Sequence, residues 1–215
     1  WICRNILPKK IKVLWLAQSS YLLNQAFGSF CDNALEILNR DSINIRVVSS
    51  SQEHSKASTI SQTDDVLIIT TQTAISNFNT NSRDLNGNII NTEFKKYIMN
   101  SLESGLFVVL DEAHHAPAYG FRSLWKGISD LNPKFYILGL TATPTHNDKR
   151  IGGWLFKIFN KEILYQADQN ELIHQKILAV PHYIEKQTGN DFVVDDALYD
   201  RLVRDHQELP ENIIQ

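Results

Sequence analysis

The chain has 215 residues, of which 43% are apolar and 10% aromatic, which excludes a disordered or collagen-like protein and provides for a sizeable core. Its 21 Lys and Arg against 24 Asp and Glu give a net charge of −3, so any nucleic-acid binding must be local rather than global. Two cysteines cannot form a disulfide framework, and the absence of a signal-peptide pattern and of an apolar run of about 18 residues predicts a cytoplasmic protein without a membrane span.

The first part of the chain predicts two strands with a helix between them. Residues 11–17 form an aliphatic run typical of a buried strand, and residues 43–47 alternate like a half-buried strand. Ser19 or Ser20 can cap the intervening helix, whose apolar positions recur at helical spacing at Leu22, Leu23, Ala26, Phe27 and Phe30. Residues 49–63, rich in Ser, Thr and Gln, predict a loop.

The middle of the chain predicts a second pair of strands, again with a helix between them. Residues 66–69 and 106–110 are aliphatic throughout and are typical of buried strands. The Asn-rich segment 77–91 predicts a flexible loop. Thr92 then resembles the cap of a helix with apolar positions at Phe94, Tyr97, Ile98 and Leu102.

The last predicted strand covers residues 135–140, and helices are predicted over 151–159 and 169–179. After Pro181 the sequence predicts an extended stretch followed by a polar helix, which we interpret as a connecting tail. Aliphatic strands that alternate with helices indicate an α/β fold, with a parallel sheet covered by helices on both faces.

Two acidic residues, Asp111 and Glu112, directly follow the 106–110 strand. Ligands of parallel α/β sheets bind beyond the carboxyl ends of the strands, so both carboxylates should face a functional site. In nucleotide hydrolysis one such carboxylate holds Mg²⁺, directly or through water, and the next orients or activates the attacking water. The alternative is an exposed turn with capping acids, but the position after an aliphatic strand favours catalysis.

Two motifs carry a resemblance to a known family. Asp111-Glu112-Ala113-His114 resembles the DEAH box of superfamily 2 helicases, and Thr141-Ala142-Thr143-Pro144, after the next strand, resembles motif III of that superfamily. Residues 10–182 are similar to the first RecA-like lobe of these motors, and the wording of both motifs is closest to the branch of restriction-enzyme subunits and DNA-repair helicases.

The resemblance implies ATP hydrolysis with ATP and Mg²⁺ as cofactors. It assigns catalytic roles to Asp111, Glu112 and His114, with Asp111 holding Mg²⁺ through water and His114 linking the ATP site to motif III. Thr141, Ala142 and Thr143 would then couple hydrolysis to movement on nucleic acid.

Two further segments resemble nucleic-acid contacts of the superfamily. Residues 16–25, with Ser19 and Ser20, are similar to motif Ia, although the Arg of the usual Pro-Thr-Arg is missing. Val66 to Ala74, with Thr71 and Thr73, is similar to a later segment that contacts a phosphate. Hydroxyls and N–H groups at helix starts suit phosphate oxygens, and plain helix capping is the alternative. The implied partner is nucleic acid, with DNA favoured over RNA.

None of the nine glycines is followed by Lys, so the sequence contains no G-x-x-x-x-G-K-[ST] phosphate loop. The resemblance places that loop before motif Ia, and an arginine finger on a second RecA-like lobe. Because residue 1 is also Trp rather than Met, we expect an N-terminally truncated first lobe over residues 1–180 and a tail, 181–215, toward a missing second lobe. Such a piece should not bind or hydrolyse ATP alone.

Three functions remain open at this point. The first is the motor lobe of an ATP-dependent DNA helicase or translocase, such as one in a restriction, defence or repair system. The second is a catalytically inactive RecA-like module that docks nucleic acid or protein. The third is a metal-dependent hydrolase that uses Asp111, Glu112, His114 and His115, although no further Cys or His lies at the spacing that a zinc site needs.

Overall fold

The protein is described from a computed structural model that covers residues 1–37, 41–80, 82–83, 89–143, 149–160 and 163–180. The chain divides into two compact units, Trp1–Ile163 and Leu164–Gln215. The tail predicted over 181–215, and Pro144 of the motif III resemblance, lie outside the described residues. Over the described ranges, no helix combines the length and the apolar character needed to cross a membrane.

A five-stranded parallel sheet forms the centre of the first unit, in the spatial order β2-β3-β1-β6-β7. Two short strands, β4 and β5, pair separately and antiparallel. The prediction of five parallel strands is confirmed, with ends shifted by at most two residues. The strands are β1 (Lys12–Ala17), β2 (Ile45–Val48), β3 (Val66–Thr70), β4 (Ser82–Arg83), β5 (Ile89–Ile90), β6 (Leu106–Asp111) and β7 (Phe135–Leu140).

Side-chain caps start three of the helices that follow the strands. Ser19 Oγ accepts the N–H of Leu22, 3.4 Å away, at the start of α2. Thr70 and Thr92 cap α3 and α4 in the same way, so the predicted caps at Ser19 and Thr92 are confirmed. The α-helices are α1 (Ile2–Asn5), α2 (Ser20–Asp32), α3 (Thr71–Asn79), α4 (Glu93–Asn100), α5 (Tyr119–Leu131), α6 (Lys149–Ile158) and, in the second unit, α7 (Gln169–His174).

Helices cover both faces of the sheet, as predicted. On one face, the α2 side chains Leu23, Ala26 and Phe30 pack with Val13, Val66, Ile68 and Val109 of the strands. On the other face, side chains of α3, α4, α5 and α6 pack on Leu14, Leu16, Leu67, Ile69, Val108 and Leu110. Because successive strand residues point to opposite faces, one aliphatic run serves both cores.

Three segments differ from the sequence-based expectation. The first residues of the loop predicted over 77–91 belong to α3, which ends at Asn79. Within the helix, Asn77 Nδ2 donates to the carbonyl of Thr73 at 2.9 Å. The same segment also holds β4 and β5. Helix α4 ends at Asn100, so Leu102 lies beyond it and is 44% exposed. Helix α7 ends at His174 rather than 179, shortly before the left-handed Lys176.

Gly139 of β7 allows the chain after β6 to approach the sheet closely. A Cβ at Gly139 would lie 2.8 Å from the Cβ of Ala113 and 2.8 Å from the ring of Phe159. Both distances are far below van der Waals contact, so only glycine fits between these groups. Ala113 itself is 3% exposed and belongs to the short 3₁₀ turn that follows β6.

We predict that Gly139→Ala destabilises the fold by about 1–3 kcal/mol, because the added methyl group overpacks the contact with Ala113 and Phe159. Gly28→Ala is the matched control, since a Cβ there meets nothing within 4 Å and lies inside helix α2. It should stabilise the protein by about 0.5–1 kcal/mol through helix propensity. Urea unfolding measures both, and equal effects of the two substitutions would contradict the packing described.

Candidate functional site

The chain turns sharply at the carboxyl end of β6, over residues 111–115, which we call the acidic turn. Asp111 is the last residue of β6, and Glu112 has the left-handed backbone φ of 53° that non-glycine residues rarely adopt. The N–H of Glu112 donates to Asp111 Oδ1 at 3.0 Å, which fixes the first carboxylate against the turn. Backbone strain of this kind is concentrated at functional sites in proteins.

Partial burial changes the proton affinity of two side chains in the acidic turn. Desolvation raises the pKa of Asp111 and the negative charge of Glu112 adds to it, while the hydrogen bond from the Glu112 N–H opposes it. Desolvation, followed by the neighbouring His114, lowers the pKa of His115, and Glu112 acts in the opposite direction. The turn therefore holds a carboxylate that is costly to leave charged without a cation nearby.

Residues 141–143, the threonine loop, contact the acidic turn through His114. His114 Nδ1 lies 3.1 Å from Thr141 Oγ1 and 3.3 Å from Glu112 Oε2, so a proton on Nδ1 can be donated to either oxygen. Thr141 Oγ1 also accepts the N–H of Thr143 at 3.1 Å, whereas Ala142 and Thr143 are exposed. A single imidazole thus connects the second acid to the end of the neighbouring strand.

The four histidine and acid side chains of the turn do not form a metal centre by themselves. In the part of the chain that the structure describes, no group of three or more His, Cys, Asp or Glu side chains is placed to hold a metal ion. The rings of His114 and His115 instead contact each other, with centroids 4.1 Å apart and planes inclined by 41°. A zinc site would need three or four converging ligands.

A polar cavity of about 480 Å³, the hydroxyl groove, lies at the carboxyl ends of β1, β2 and β3. Its described lining carries hydroxyl and amide side chains and no charged one. The N-termini of α2 and α3, at which N–H groups and the positive end of the helix dipole suit an anion, form two of its sides. The lining residues are Gln18, Ser19, Ser20, Ser49, Ser50, Ser51, Thr70, Gln72, Thr73, Ser76 and Asn77.

Three of the four residues that the sequence predicts to contact nucleic acid lie in the hydroxyl groove. Ser19, Ser20 and Thr73 line it. Thr71 does not, because its side chain is 5% exposed and its Oγ1 donates to the carbonyl of Ala17 at 3.3 Å. The prediction for Thr71 is corrected accordingly: its hydroxyl joins α3 to the end of β1 inside the protein.

Ser49, Ser50 and Ser51, the serine wall, form a side of the groove that was not predicted from the sequence. These residues follow β2 directly, as Asp111 ends β6, but their Ser-rich context was interpreted only as a loop. The signal was available, because polar residues just after a parallel strand face the ligand-binding edge of the sheet. Parallel pairing places this wall, the acidic turn and the threonine loop at that same edge.

Comparison with known proteins gives one family match and one solved structure of interest. Residues 2–146 match the family described as type III restriction enzyme, res subunit. The crystal structure of the Hef helicase domain of Pyrococcus furiosus is similar over 72% of this chain, with 18% sequence identity and a TM-score of 0.46. The matched region spans 28% of that chain's length. A search of curated proteins gave no match.

We predict that Asp111→Asn raises the melting temperature at neutral pH by about 1–2 °C, a fraction of 1 kcal/mol for a chain of this size. The raised pKa of Asp111 means that the folded state binds its proton more tightly than the unfolded state. The folded state of the parent chain therefore loses stability as the pH rises from the unfolded pKa of Asp111 through its raised folded pKa. Asn carries no titrating proton, so the variant does not lose this stability.

The advantage of the variant should vanish at a pH below the unfolded pKa of Asp111, where both states are protonated. Thermal melts of both proteins between pH 3 and 8 measure this difference. An Asp111→Asn protein that melts lower than the parent chain at pH 7 would contradict a desolvated carboxylate.

Proposed function

This chain belongs to the family of type III restriction enzyme res subunits and is a RecA-like lobe of the helicase type, and on that premise we propose that it is the first motor lobe of an ATP-dependent DNA translocase or helicase. One observation carries the proposal. His114 Nδ1 lies within 3.3 Å of both Glu112 and Thr141, so it joins a pair of strand-end acids to the next strand. We extend the proposal to a restriction, defence or repair role, which rests on family membership alone.

The acidic turn fits a magnesium ion that also touches the phosphates of a nucleotide. Mg²⁺ is usually held by one or two carboxylates, water and substrate phosphates, rather than by a closed cage of side chains. Asp111 Oδ1 is occupied by the Glu112 N–H, and among the described residues Oδ2 has no hydrogen-bonding partner. Asp111 would therefore hold the ion through Oδ2, with or without water between. When bound, the ion would neutralise charge on the phosphates.

We assign to Glu112 the role of accepting a proton from the attacking water. Its carboxylate is 41% exposed and reaches 3.3 Å from His114 Nδ1, which leaves Oε1 to accept a proton from an attacking water. His114 orients this carboxylate by donating from Nδ1. Because the same nitrogen lies 3.1 Å from Thr141 Oγ1, a shift of the threonine loop would change the position of Glu112.

We assign nucleic acid to the hydroxyl groove. N–H and hydroxyl donors contact phosphate oxygens without reading sequence, as a translocating motor requires. The groove is next to the acidic turn, since β1 pairs with β6, which ends in Asp111. We favour DNA over RNA on the wording of the two motifs, which is closest to that of restriction and repair motors.

None of the nine glycines precedes a Lys, so we propose that a phosphate-binding loop for ATP is supplied from outside these 215 residues. We propose that residues 1–180 form the lobe and that it acts in a longer protein with a second RecA-like lobe. The missing loop also favours a second candidate, a lobe without catalysis that docks nucleic acid. The two candidates differ in whether Glu112 matters for turnover.

We predict that Glu112→Gln, in a longer protein that contains this lobe and a Walker A loop, lowers the ATP turnover rate by about 100-fold or more. Nucleotide affinity should change less than two-fold, because the amide keeps its place but cannot accept the proton. The matched control is Glu103→Gln, at an exposed acid beyond the far end of α4. Steady-state ATPase and nucleotide-binding assays measure both, and unchanged turnover in Glu112→Gln would favour the docking module.

We also predict that the 215-residue chain binds single-stranded DNA weakly and with little salt dependence. Because no charged side chain lines the described groove, log K should fall with log[salt] at a slope no steeper than about −2. Ser20→Ala in the groove should weaken binding several-fold, and Ser42→Ala, an exposed serine elsewhere, should not. Fluorescence anisotropy at several salt concentrations measures this. A steep slope with unchanged Ser20→Ala affinity would place the DNA on another surface.

A further inference from the structure

One histidine joins two walls of the hydroxyl groove. After β2 the chain forms a loop and returns beside Val48 in the direction parallel to β2, where the N–H of Ser55 donates to the carbonyl of Val47 at 2.9 Å. His54 lies on the returning segment. Its Nδ1 is 2.7 Å from Ser49 Oγ, and its Nε2 is 2.8 Å from Asn24 Oδ1. The ring thus links the serine wall after β2 to helix α2.

The hydrogen bonds of the two partners fix the proton on the ring. With the amide oxygen of Asn24 facing Nε2, the contact is satisfied by the tautomer that carries its proton on Nε2. Nδ1 then accepts the hydroxyl proton of Ser49. Ser49 Oγ is itself the acceptor of the Ser51 N–H at 3.0 Å, so the chain of bonds continues into the backbone of the serine wall.

The two ends of this series differ in how firmly they are held. Ser49 is 8% exposed and follows directly on β2, so it belongs to the rigid edge of the sheet. Asn24 is exposed and lies in the second turn of α2, whose first turn forms the opposite wall of the groove at Ser19 and Ser20. The imidazole therefore ties the serine wall to the second turn of α2 through one contact at each end.

We propose that His54 is a positioning residue that holds two walls of the hydroxyl groove in place for a phosphodiester backbone. The inference rests on the proposed function, since it names the ligand of the groove as single-stranded nucleic acid. Because the described lining has no Lys or Arg, affinity depends on where neutral N–H and O–H donors stand. Hydrogen bonds weaken steeply with small errors in distance and angle, and a preformed site avoids the cost of ordering its walls on binding.

Two substitutions of His54 can each keep one of its two hydrogen bonds and remove the other. Asn at position 54 places an amide near the site of Nδ1 and can keep the link to Ser49, whereas Gln reaches the site of Nε2 and can keep the link to Asn24. Neither amide spans both partners. We expect His54→Asn and His54→Gln each to lower the affinity of the 215-residue chain for fluorescein-labelled oligo-dT by about 5- to 20-fold. Fluorescence anisotropy measures it, with His174→Gln, an exposed histidine of α7, as the matched control.

A double-mutant cycle distinguishes positioning from general support of the fold. Asn24→Ala should weaken oligo-dT binding as much as His54→Ala, and the double variant should lose no more than either single one, because either substitution alone interrupts the bridge between Ser49 and α2. Melting temperatures should stay within a few degrees of the parent chain. Additive losses of affinity, or losses that follow a global fall in melting temperature, would overturn the proposal.

The ring itself supplies a spectroscopic readout. In long-range ¹H–¹⁵N NMR spectra the free protein should show a protonated Nε2 and an unprotonated Nδ1 at His54. Adding oligo-dT should shift both signals with the affinity found by anisotropy. If the parent chain binds oligo-dT but the His54 variants bind equally well, the positioning role fails and the proposed function stands. If the parent chain does not bind oligo-dT at all, the nucleic-acid assignment of the groove fails, and the positioning role with it.

Discussion

Close packing between the ends of β6 and β7 is the constraint on which the candidate catalytic site depends. A glycine at 139 lets Ala113 approach within a distance that any Cβ would block, and the turn is thereby held against β7. His114, the next residue, then reaches Thr141 at 3.1 Å, at the end of the neighbouring strand. The link from Glu112 through His114 to Thr141 therefore depends on the absence of a side chain at Gly139 and on the parallel register of β6 and β7.

Parallel pairing also separates two sites along the same edge of the sheet. Strands β2, β3 and β1 end at the hydroxyl groove, and β6 and β7 end at the acidic turn and the threonine loop. The groove is built from neutral donors, whereas the turn holds a desolvated acid. Under the proposed function, neutral donors suit a phosphodiester chain that must slide through the groove, and the acid of the turn suits a cation bound with a nucleotide.

Much of this arrangement is encoded locally, and some of it is not. Aliphatic runs and Ser or Thr caps predict the five strands and the starts of α2 and α4, because burial and capping act over a few residues. The strand-end position of Asp111 and Glu112 is predictable for the same reason. The inward turn of Thr71 and the contact between His54 and Asn24, 30 residues apart, depend on tertiary packing that no local pattern contains. Gly139 gave no signal, since a single glycine in a strand has several uses.

Under the proposed function, Thr141 and Glu112 act as one unit through His114. The most direct test is ATP hydrolysis, with and without single-stranded DNA, by a longer protein that contains this lobe and a Walker A loop. Thr141→Val, which lacks the hydroxyl, should keep basal hydrolysis and lose most of the stimulation by DNA, whereas Thr141→Ser should retain both. Full stimulation by DNA in Thr141→Val would contradict the account.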